Sequence, residues 1–462
     1  MGEKNNIKDI IANYEAMSQT QSGKLLDEKS LLQLIEYYTE EEQWEMVLEV
    51  SETSLERYPF SVEFFIAQAE ALIATKQLTD ALDTLAQAKL LAPNETEILL
   101  LQLHASIDLN QLEDAQDLME YLHQLEDASI ECDLYLAKAK LFQKQEEFEN
   151  VFFLLKDALQ KHPFHKGLLE RFGASVELNK YYEESVHIHN QILDKDPYTY
   201  LAWYNLGTAY SYLGNYVKAI EAFEFAFVIN EQFEAAGRSC AELCFELKLF
   251  HKSKKYFQEL LEINDTDPEI YLRLGQSFLQ LGDIATARTF LAKALYLDSQ
   301  NDEAYFAMAQ CFAAEGKWQQ AIQYYEKAIA IEDTQEEYYA AYAEALMEID
   351  EWNKAEENLL LALEIAPECN LIWIQYALLL LYSNQGEDAV ALLEQAEEFT
   401  SAPEIVYCKI ACLFALGKRQ EALYWLGEAL HEDFSQHTSL FEYLPELQGD
   451  PGILNMISAY IP

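Results

Sequence analysis

Small side chains recur along this chain at a constant interval of 34 residues. Counted in both directions from Gly207, they are Ala139, Gly173, Ala241, Gly275, Ala309, Ala343, Ala377 and Ala411. A second column lies 12 residues further along and reads Ser185, Ala219, Ser253, Ala287, Ala321, Ala355 and Ala389. A fixed period of about 20 to 50 residues indicates an array of repeated supersecondary units, each stacked on the next.

Within one repeat, residues 200–233, the apolar pattern predicts two antiparallel helices. Trp203, Gly207 and Tyr210 are spaced i, i+4 and i+7 and therefore form one stripe on the first helix. The matching stripe on the second helix consists of Ala219, Phe223 and Ala226. Gly214, Gly282 and Gly316 share one position between the two helices, where the turn requires a left-handed backbone.

The same residues carry a resemblance to a known family. Trp203, Leu206, Gly207 and Tyr210 match the W-x2-L-G-x2-Y half of the tetratricopeptide repeat (TPR) pattern, and Ala219 with Phe223 matches the A-x3-F half. The chain resembles a long bacterial-type TPR array without a fused catalytic domain. The resemblance implies an all-α fold, a right-handed superhelical α-solenoid of about twelve TPR helical hairpins, with first helices lining a concave groove.

The repeat frame divides the chain into an array with a short segment at each end. The array covers 28–433, with repeats starting near 28, 62, 96, 132, 166, 200, 234, 268, 302, 336, 370 and 404. A two-residue insertion near 126–130 shifts the frame. The prolines support it, because none falls inside a predicted helix except at its first turn.

The two end segments are predicted to cap the array. Residues 1–27 contain an amphipathic helix and a connector, with apolar residues at Ile7, Ile10, Ile11, Tyr14 and Met17. This helix is too short to be stable alone, so we expect it to dock on the first repeat or on a partner. In 434–462, Asp450 and Pro451 suit the N-cap and first position of a final helix.

The charge balance excludes two classes of partner. The chain has 31 basic and 80 acidic residues, a formal net charge of −49, and this field repels nucleic acid and anionic membranes. The acidity either keeps a long array soluble or serves recognition of a basic partner. The sequence leaves both interpretations open.

No residue pattern indicates catalysis, a cofactor or a metal. Phosphate-binding glycine loops and hydrolase or kinase motifs are absent, so we expect no enzyme activity. His187 and His189 lie on different faces of a helix and cannot chelate a metal together without a third element. The seven cysteines include no CxxC pair and are expected to be buried and reduced. Without an apolar leader in its first residues, the protein is expected to be cytoplasmic.

Repeat eleven carries an unusual apolar stripe. Leu371, Ile374, Leu378 and Leu381 lie about 100° around the helix from the core stripe, on a side normally open to solvent. Such a stripe indicates a contact, either with the chain's own C-terminal segment or with another molecule.

The groove positions implied by the TPR resemblance change character in the middle of the array. Most are acidic or apolar, but repeats five to eight present Arg171, Tyr204, Asn205, Thr208, Arg238 and Arg273. This set partly resembles the carboxylate clamp with which some TPR modules hold a peptide C-terminus, although its first lysine is replaced by Glu170. Alternatively, the arginines neutralise groove carboxylates such as Glu170, Glu177, Glu242 and Glu246.

These observations favour a non-catalytic scaffold that binds a peptide or partner protein in the concave groove, and the partner is basic if the acidity serves recognition. Two alternatives remain. The stripe of repeat eleven could instead mediate a homodimer, making the protein a structural oligomer. The chain could also be a secretion or assembly chaperone.

Overall fold

The computed structural model describes residues 7, 10–14, 26–125 and 127–460. By its contacts the chain divides into two compact units, Met1–Asn230 and Glu231–Pro462. Both consist of consecutive antiparallel helical hairpins, and the described residues contain no strand. The predicted all-α class of repeated hairpins is confirmed.

The first compact unit contains six hairpins. Their helices are α1 Glu28–Glu40, α2 Trp44–Arg57, α3 Val62–Ala74, α4 Leu78–Leu91, α5 Thr96–Asp108, α6 Leu112–Gln124, α7 Glu131–Lys144, α8 Phe148–Lys161, α9 Lys166–Asn179, α10 Tyr182–Lys195, α11 Tyr200–Tyr212 and α12 Tyr216–Ile229. A single 3-10 turn, Ala128–Ile130, occupies the connector that contains the two-residue insertion.

The second compact unit contains six more hairpins and a C-terminal segment. The hairpin helices are α13 Glu234–Glu246, α14 Phe250–Ile263, α15 Pro268–Gln280, α16 Ile284–Leu297, α17 Asp302–Ala314, α18 Trp318–Ile331, α19 Glu336–Met347, α20 Trp352–Ile365, α21 Asn370–Tyr382, α22 Gly386–Ala396, α23 Pro403–Ala415 and α24 Arg419–Glu432. Two short helices follow, α25 Ser439–Tyr443 and α26 Pro451–Ala459.

The turn inside each hairpin has a left-handed residue. Gly214, Gly282 and Gly316 have φ of 72°, 81° and 70°, which confirms the backbone predicted for that position. Eight hairpins place a residue with a side chain there instead: Glu42, Lys76, Asn110, Glu146, Lys180, Lys248, Asp350 and Asn384. The hairpin geometry therefore requires a left-handed backbone at this position, and residues other than glycine can adopt it.

Small residues allow the two helices of a hairpin to pack closely, as the pattern predicts. A methyl group added at Gly207 would lie 2.7 Å from the ring carbon Cδ1 of Phe223. At the equivalent Gly275, it would lie 2.6 Å from Cγ of Leu291. The large side chain of the second helix thus occupies the space where the first helix lacks a Cβ.

The end segments pack on the hairpins next to them. Ile10 and Tyr14 are buried in the core of the first hairpin, so this part of the N-terminal helix docks there as expected. Met17 lies outside the described residues. At the other end, Asp450 accepts hydrogen bonds from the backbone N–H groups of Gly452 and Ile453 and Pro451 opens α26, which confirms the predicted N-cap.

Candidate functional site

The first helices of repeats three to five form a pocket in the first compact unit. His104 of α5, Lys140 of α7 and Arg171 of α9 project into a cavity of about 430 Å³. The rest of the lining is Leu136, Gly167, Glu170 and Ala174. Two of these are small, which leaves room for a ligand group beside the cations.

The guanidinium of Arg171 has only a neutral partner among the described residues. Its Nη2 donates to Oε1 of Gln143 at 2.6 Å, and no described carboxylate lies within ion-pair distance. Lys140, by contrast, is paired with Asp108 at 2.8 Å. Burial, and then the charge of Lys140, lower the pKa of His104, so that its imidazole is neutral near pH 7. Arg171 is thus the cation of this pocket available to an incoming anion.

The side chain of Asn205 is buried and hydrogen-bonded inside the chain. It is buried, and its Nδ2 donates to the carbonyl oxygen of Leu169 at 2.9 Å and lies 3.2 Å from Nε2 of His189. A Cβ on Gly173 would come within 2.6 Å of its Oδ1. The amide therefore ties α11 to α9 and α10, and its side chain is not presented on the surface.

His189 completes this buried network. Its Nδ1 lies 2.9 Å from the carbonyl oxygen of Ser185, which can only accept, so Nδ1 carries the proton and Nε2 accepts from Asn205. Burial lowers the pKa of His189 to about 4. The structure thus places this histidine in the core, as a neutral hydrogen-bonded ring.

Tyr204 and Thr208 lie partly buried on α11, one turn apart. The hydroxyl of Thr208 donates to the backbone carbonyl of Tyr204 at 3.1 Å. The Tyr204 ring lies 5.6 Å from that of Phe223, centroid to centroid. Both side chains therefore support the helix while keeping some exposed surface.

In the second compact unit, both arginines of the sequence-derived site are paired with carboxylates. Arg238 donates to Glu234 at 2.6 Å and to Asp267 at 2.5 Å. Arg273 contacts Glu269 at 2.9 Å and Glu303 at 3.2 Å. These ion pairs match the alternative interpretation of the arginines, although the carboxylates differ from those expected.

The same unit has an acidic pocket of about 320 Å³ on its first helices. Its charged and amide lining is Gln276, Gln280, Asp302, Glu303, Gln310, Gln335 and Glu337, and its aromatic and aliphatic lining is Phe245, Leu279, Phe306 and Tyr338. Tyr338 donates its hydroxyl proton to Asp302 at 2.7 Å. Burial, and then the neighbouring charge of Glu336, raise the pKa of Glu337.

Comparisons with protein families agree with the hairpin geometry. Tetratricopeptide repeat families match residues 200–233, then 248–302 and 272–337, and finally 312–379. The chain is a tetratricopeptide repeat protein. TPR arrays present extended binding surfaces built from successive repeats, so this TPR chain is a protein-interaction scaffold.

Solved structures with a similar fold include the APC/C hetero-tetramer Cut9-Hcn1, at 14% identity, covering 93% of this chain and 94% of that chain with a TM-score of 0.41. The yeast Tom70 is 16% identical and covers 93% of this chain and 98% of its own, also with a TM-score of 0.41. YrrB, described as a TPR protein with an unusual peptide-binding site, is 16% identical over 40% and 94%, with a TM-score of 0.33. No curated protein matches the TPR chain.

The apolar stripe of TPR repeat eleven is covered in part by the chain itself. Ile374 is 4% exposed, and Leu378 and Leu381 are partly buried against the same apolar cluster. That cluster includes residues of α23, and Tyr443 of the C-terminal segment packs against it. Leu371, at the start of α21, is 64% exposed.

Metal-ligating clusters and long apolar helices would indicate further functions in the part of the TPR chain that the structure describes. No group of three metal-ligating side chains is present there, and no helix is long and apolar enough to cross a bilayer. All seven cysteines are free; five are buried, and Cys132 and Cys369 are partly exposed.

Proposed function

We propose that this TPR protein is a non-catalytic scaffold whose first compact unit binds a partner segment through a carboxylate. The observation that carries the proposal is the Arg171 guanidinium, which has no described carboxylate partner although the chain has a net charge of −49. In such an acidic chain an arginine would readily find an internal ion pair. Its availability beside a cavity supports a role in binding an external anion.

The pocket chemistry suits a carboxylate of a peptide side chain or C-terminus. A guanidinium offers parallel N–H donors that match the two oxygens of a carboxylate. Gly167 and Ala174 leave the approach open, and the neutral His104 can bond a peptide group without repelling it. In this proposal Tyr204 and Thr208 line the face next to the pocket, and Asn205 positions the helices rather than touching the ligand.

The test measures the affinity of a partner first identified by pull-down with the full chain. We expect Arg171→Ala to weaken its Kd by about tenfold or more, because a hydrogen bond to a charged group contributes about 1.5–3 kcal/mol. Arg171→Lys should restore part of the loss. The matched control is Lys195→Ala, which removes one exposed positive charge at the end of α10. If the affinity of Arg171→Ala equals that of the control, the pocket is not the site.

A second candidate function is supported by the acidic pocket of the second compact unit. Its three carboxylates and four side-chain amides surround apolar side chains, a lining that suits the stem and charged end of a lysine or arginine. A basic peptide segment would also satisfy the sequence-based hypothesis of a basic partner.

This candidate predicts site-specific rather than general electrostatic attraction. We expect Glu337→Gln to weaken binding of a fluorescein-labelled Lys/Arg-containing dodecapeptide about fivefold in anisotropy measurements at 0.15 M salt. Glu364→Gln, an equal charge change on the exposed surface of the second helix α20, should alter Kd less than about twofold. Equal effects of Glu337→Gln and Glu364→Gln on Kd would mean that the peptide is attracted by the net charge of the chain and not by this pocket. If the acidic pocket is the site, the double variant Arg238→Ala/Arg273→Ala should bind the basic peptide more tightly. If these arginines instead hold a carboxylate of the partner, the same double variant should bind the partner more weakly.

A further inference from the structure

A separate cleft opens between the third and fourth hairpins of the first compact unit. Its volume is about 520 Å³, within the range of small-molecule sites. The apolar part of the lining is Met119, Leu134, Leu141, Phe142 and Leu154, and the charged or basic part is Glu120, Glu131, Lys138, Lys161 and His123. These residues belong to α6, α7 and α8, on the side of the second helices rather than at the Arg171 pocket.

The repeat pattern explains why the chain does not fill this space. At the regular junction before α11, four residues separate the helices, and Trp203 donates its indole N–H to the carbonyl of Pro197 at 2.8 Å. Six residues separate α6 from α7, and no proline lies among them. Tyr135 stands at the position of Trp203, and its hydroxyl instead meets Lys161 at 2.9 Å. The longer connector and the smaller ring leave the junction open.

The rim of the cleft carries a lysine that no described carboxylate neutralises. Lys138 Nζ lies 5.6 Å from the centroid of Phe142, and within the described residues it has no ion-pair partner. Lys161, in contrast, is paired with Glu131 at 3.1 Å. A lysine that pairs with none of the described carboxylates is complementary to an anion that enters the cleft.

We propose that this cleft binds an anionic amphiphile, an unbranched acyl chain ending in a carboxylate. The five apolar side chains remove the methylene groups from water, and Lys138 contacts the carboxylate at the rim. Flexible side chains such as Met119 adapt to a linear chain. The proposal is independent of the peptide sites, because it uses none of their residues.

Isothermal titration of the full chain with sodium dodecanoate, decanoate and octanoate, kept below micellar concentrations, tests the apolar part. We expect saturable binding of one molecule, with Kd weaker by about tenfold for each two methylenes removed. Absence of saturable dodecanoate binding overturns the proposal. So does binding of dodecyltrimethylammonium as tight as that of dodecanoate, because the cation should be repelled by Lys138.

Two variants test the location. Lys138→Met should weaken dodecanoate about tenfold and leave dodecan-1-ol unchanged, whereas Leu134→Trp should abolish binding of both by filling the cleft. Lys29→Met, which removes an exposed lysine of α1, should bind like the parent chain. The circular dichroism melting curve of each variant checks that it folds. If Leu134→Trp does not fold, the dodecanoate affinity of Lys138→Met alone tests the location. Parent-like dodecanoate affinity in Lys138→Met overturns the assignment.

Discussion

Replacing Ile453 with alanine is expected to lower the free energy of unfolding of the second compact unit by about 2–5 kcal/mol. The side chain is 0% exposed and lies in an apolar cluster with Ile410, Leu426 and Leu430. Removing three carbons from a packed interior loses their burial and leaves a cavity. Chemical denaturation followed by circular dichroism measures the change.

Leu454 provides the matched control, because it is the next residue of α26 and is 45% exposed. Leu454→Ala should change the stability by less than about 0.5 kcal/mol. Equal losses in the two variants would mean that α26 does not pack as described.

Deleting residues 438–462 should lower the free energy of unfolding more than Ile453→Ala does, because it removes more buried apolar surface. It removes Leu440, Leu447, Ile453 and Ile457 from the cluster and exposes the apolar surface of α23 and α24. An uncovered apolar face at the end of a repeat array favours association, so we expect aggregation in light scattering. A truncated chain that stays monomeric and equally stable would contradict the capping role predicted from the sequence.

Lowering the pH is expected to destabilise the first compact unit through His189. Its folded-state pKa is about 4, against an ordinary value of 6.5. Above pH 6.5 the imidazole is neutral in both states and its protonation has no effect. Between pH 6.5 and 4 the unfolded chain binds a proton that the folded chain excludes, so stability falls by about 1.4 kcal/mol per pH unit, about 3 kcal/mol in total.

The comparison of the parent chain with His189→Gln isolates this contribution. Between pH 6.5 and 5.5 the parent should lose about 1 kcal/mol more stability than the variant, because only the parent has this group to protonate on unfolding. Carboxylates elsewhere affect both proteins equally. If the free energies of unfolding of the parent and of His189→Gln fall in parallel as the pH is lowered, His189 is not buried as a neutral ring. Nitrogen-15 spectra of histidine should also show its Nδ1–H tautomer at pH 5.5.

The candidate site illustrates which features sequence reasoning could predict. The repeat frame placed Arg171 and Asn205 at the same position of successive first helices, because a 34-residue period repeats the helix faces. It did not distinguish their environments. Arg171 borders a cavity, while Asn205 is buried against Leu169, 36 residues earlier in the chain. The half-buried arginine and the buried asparagine at one register position differ only in what packs beside them.

The sequence by itself determined the helical hairpins, their order and the small residues where helices touch. This information is local, since side chains on a helix advance by about 100° per residue and a repeated stripe defines a buried face. Only the tertiary structure decided the pairing of Arg238 with Asp267, the buried state of His189 and the cleft beside Lys138. Each depends on how side chains from different helices meet, because long side chains can reach several partners and a short insertion changes the spacing between two hairpins.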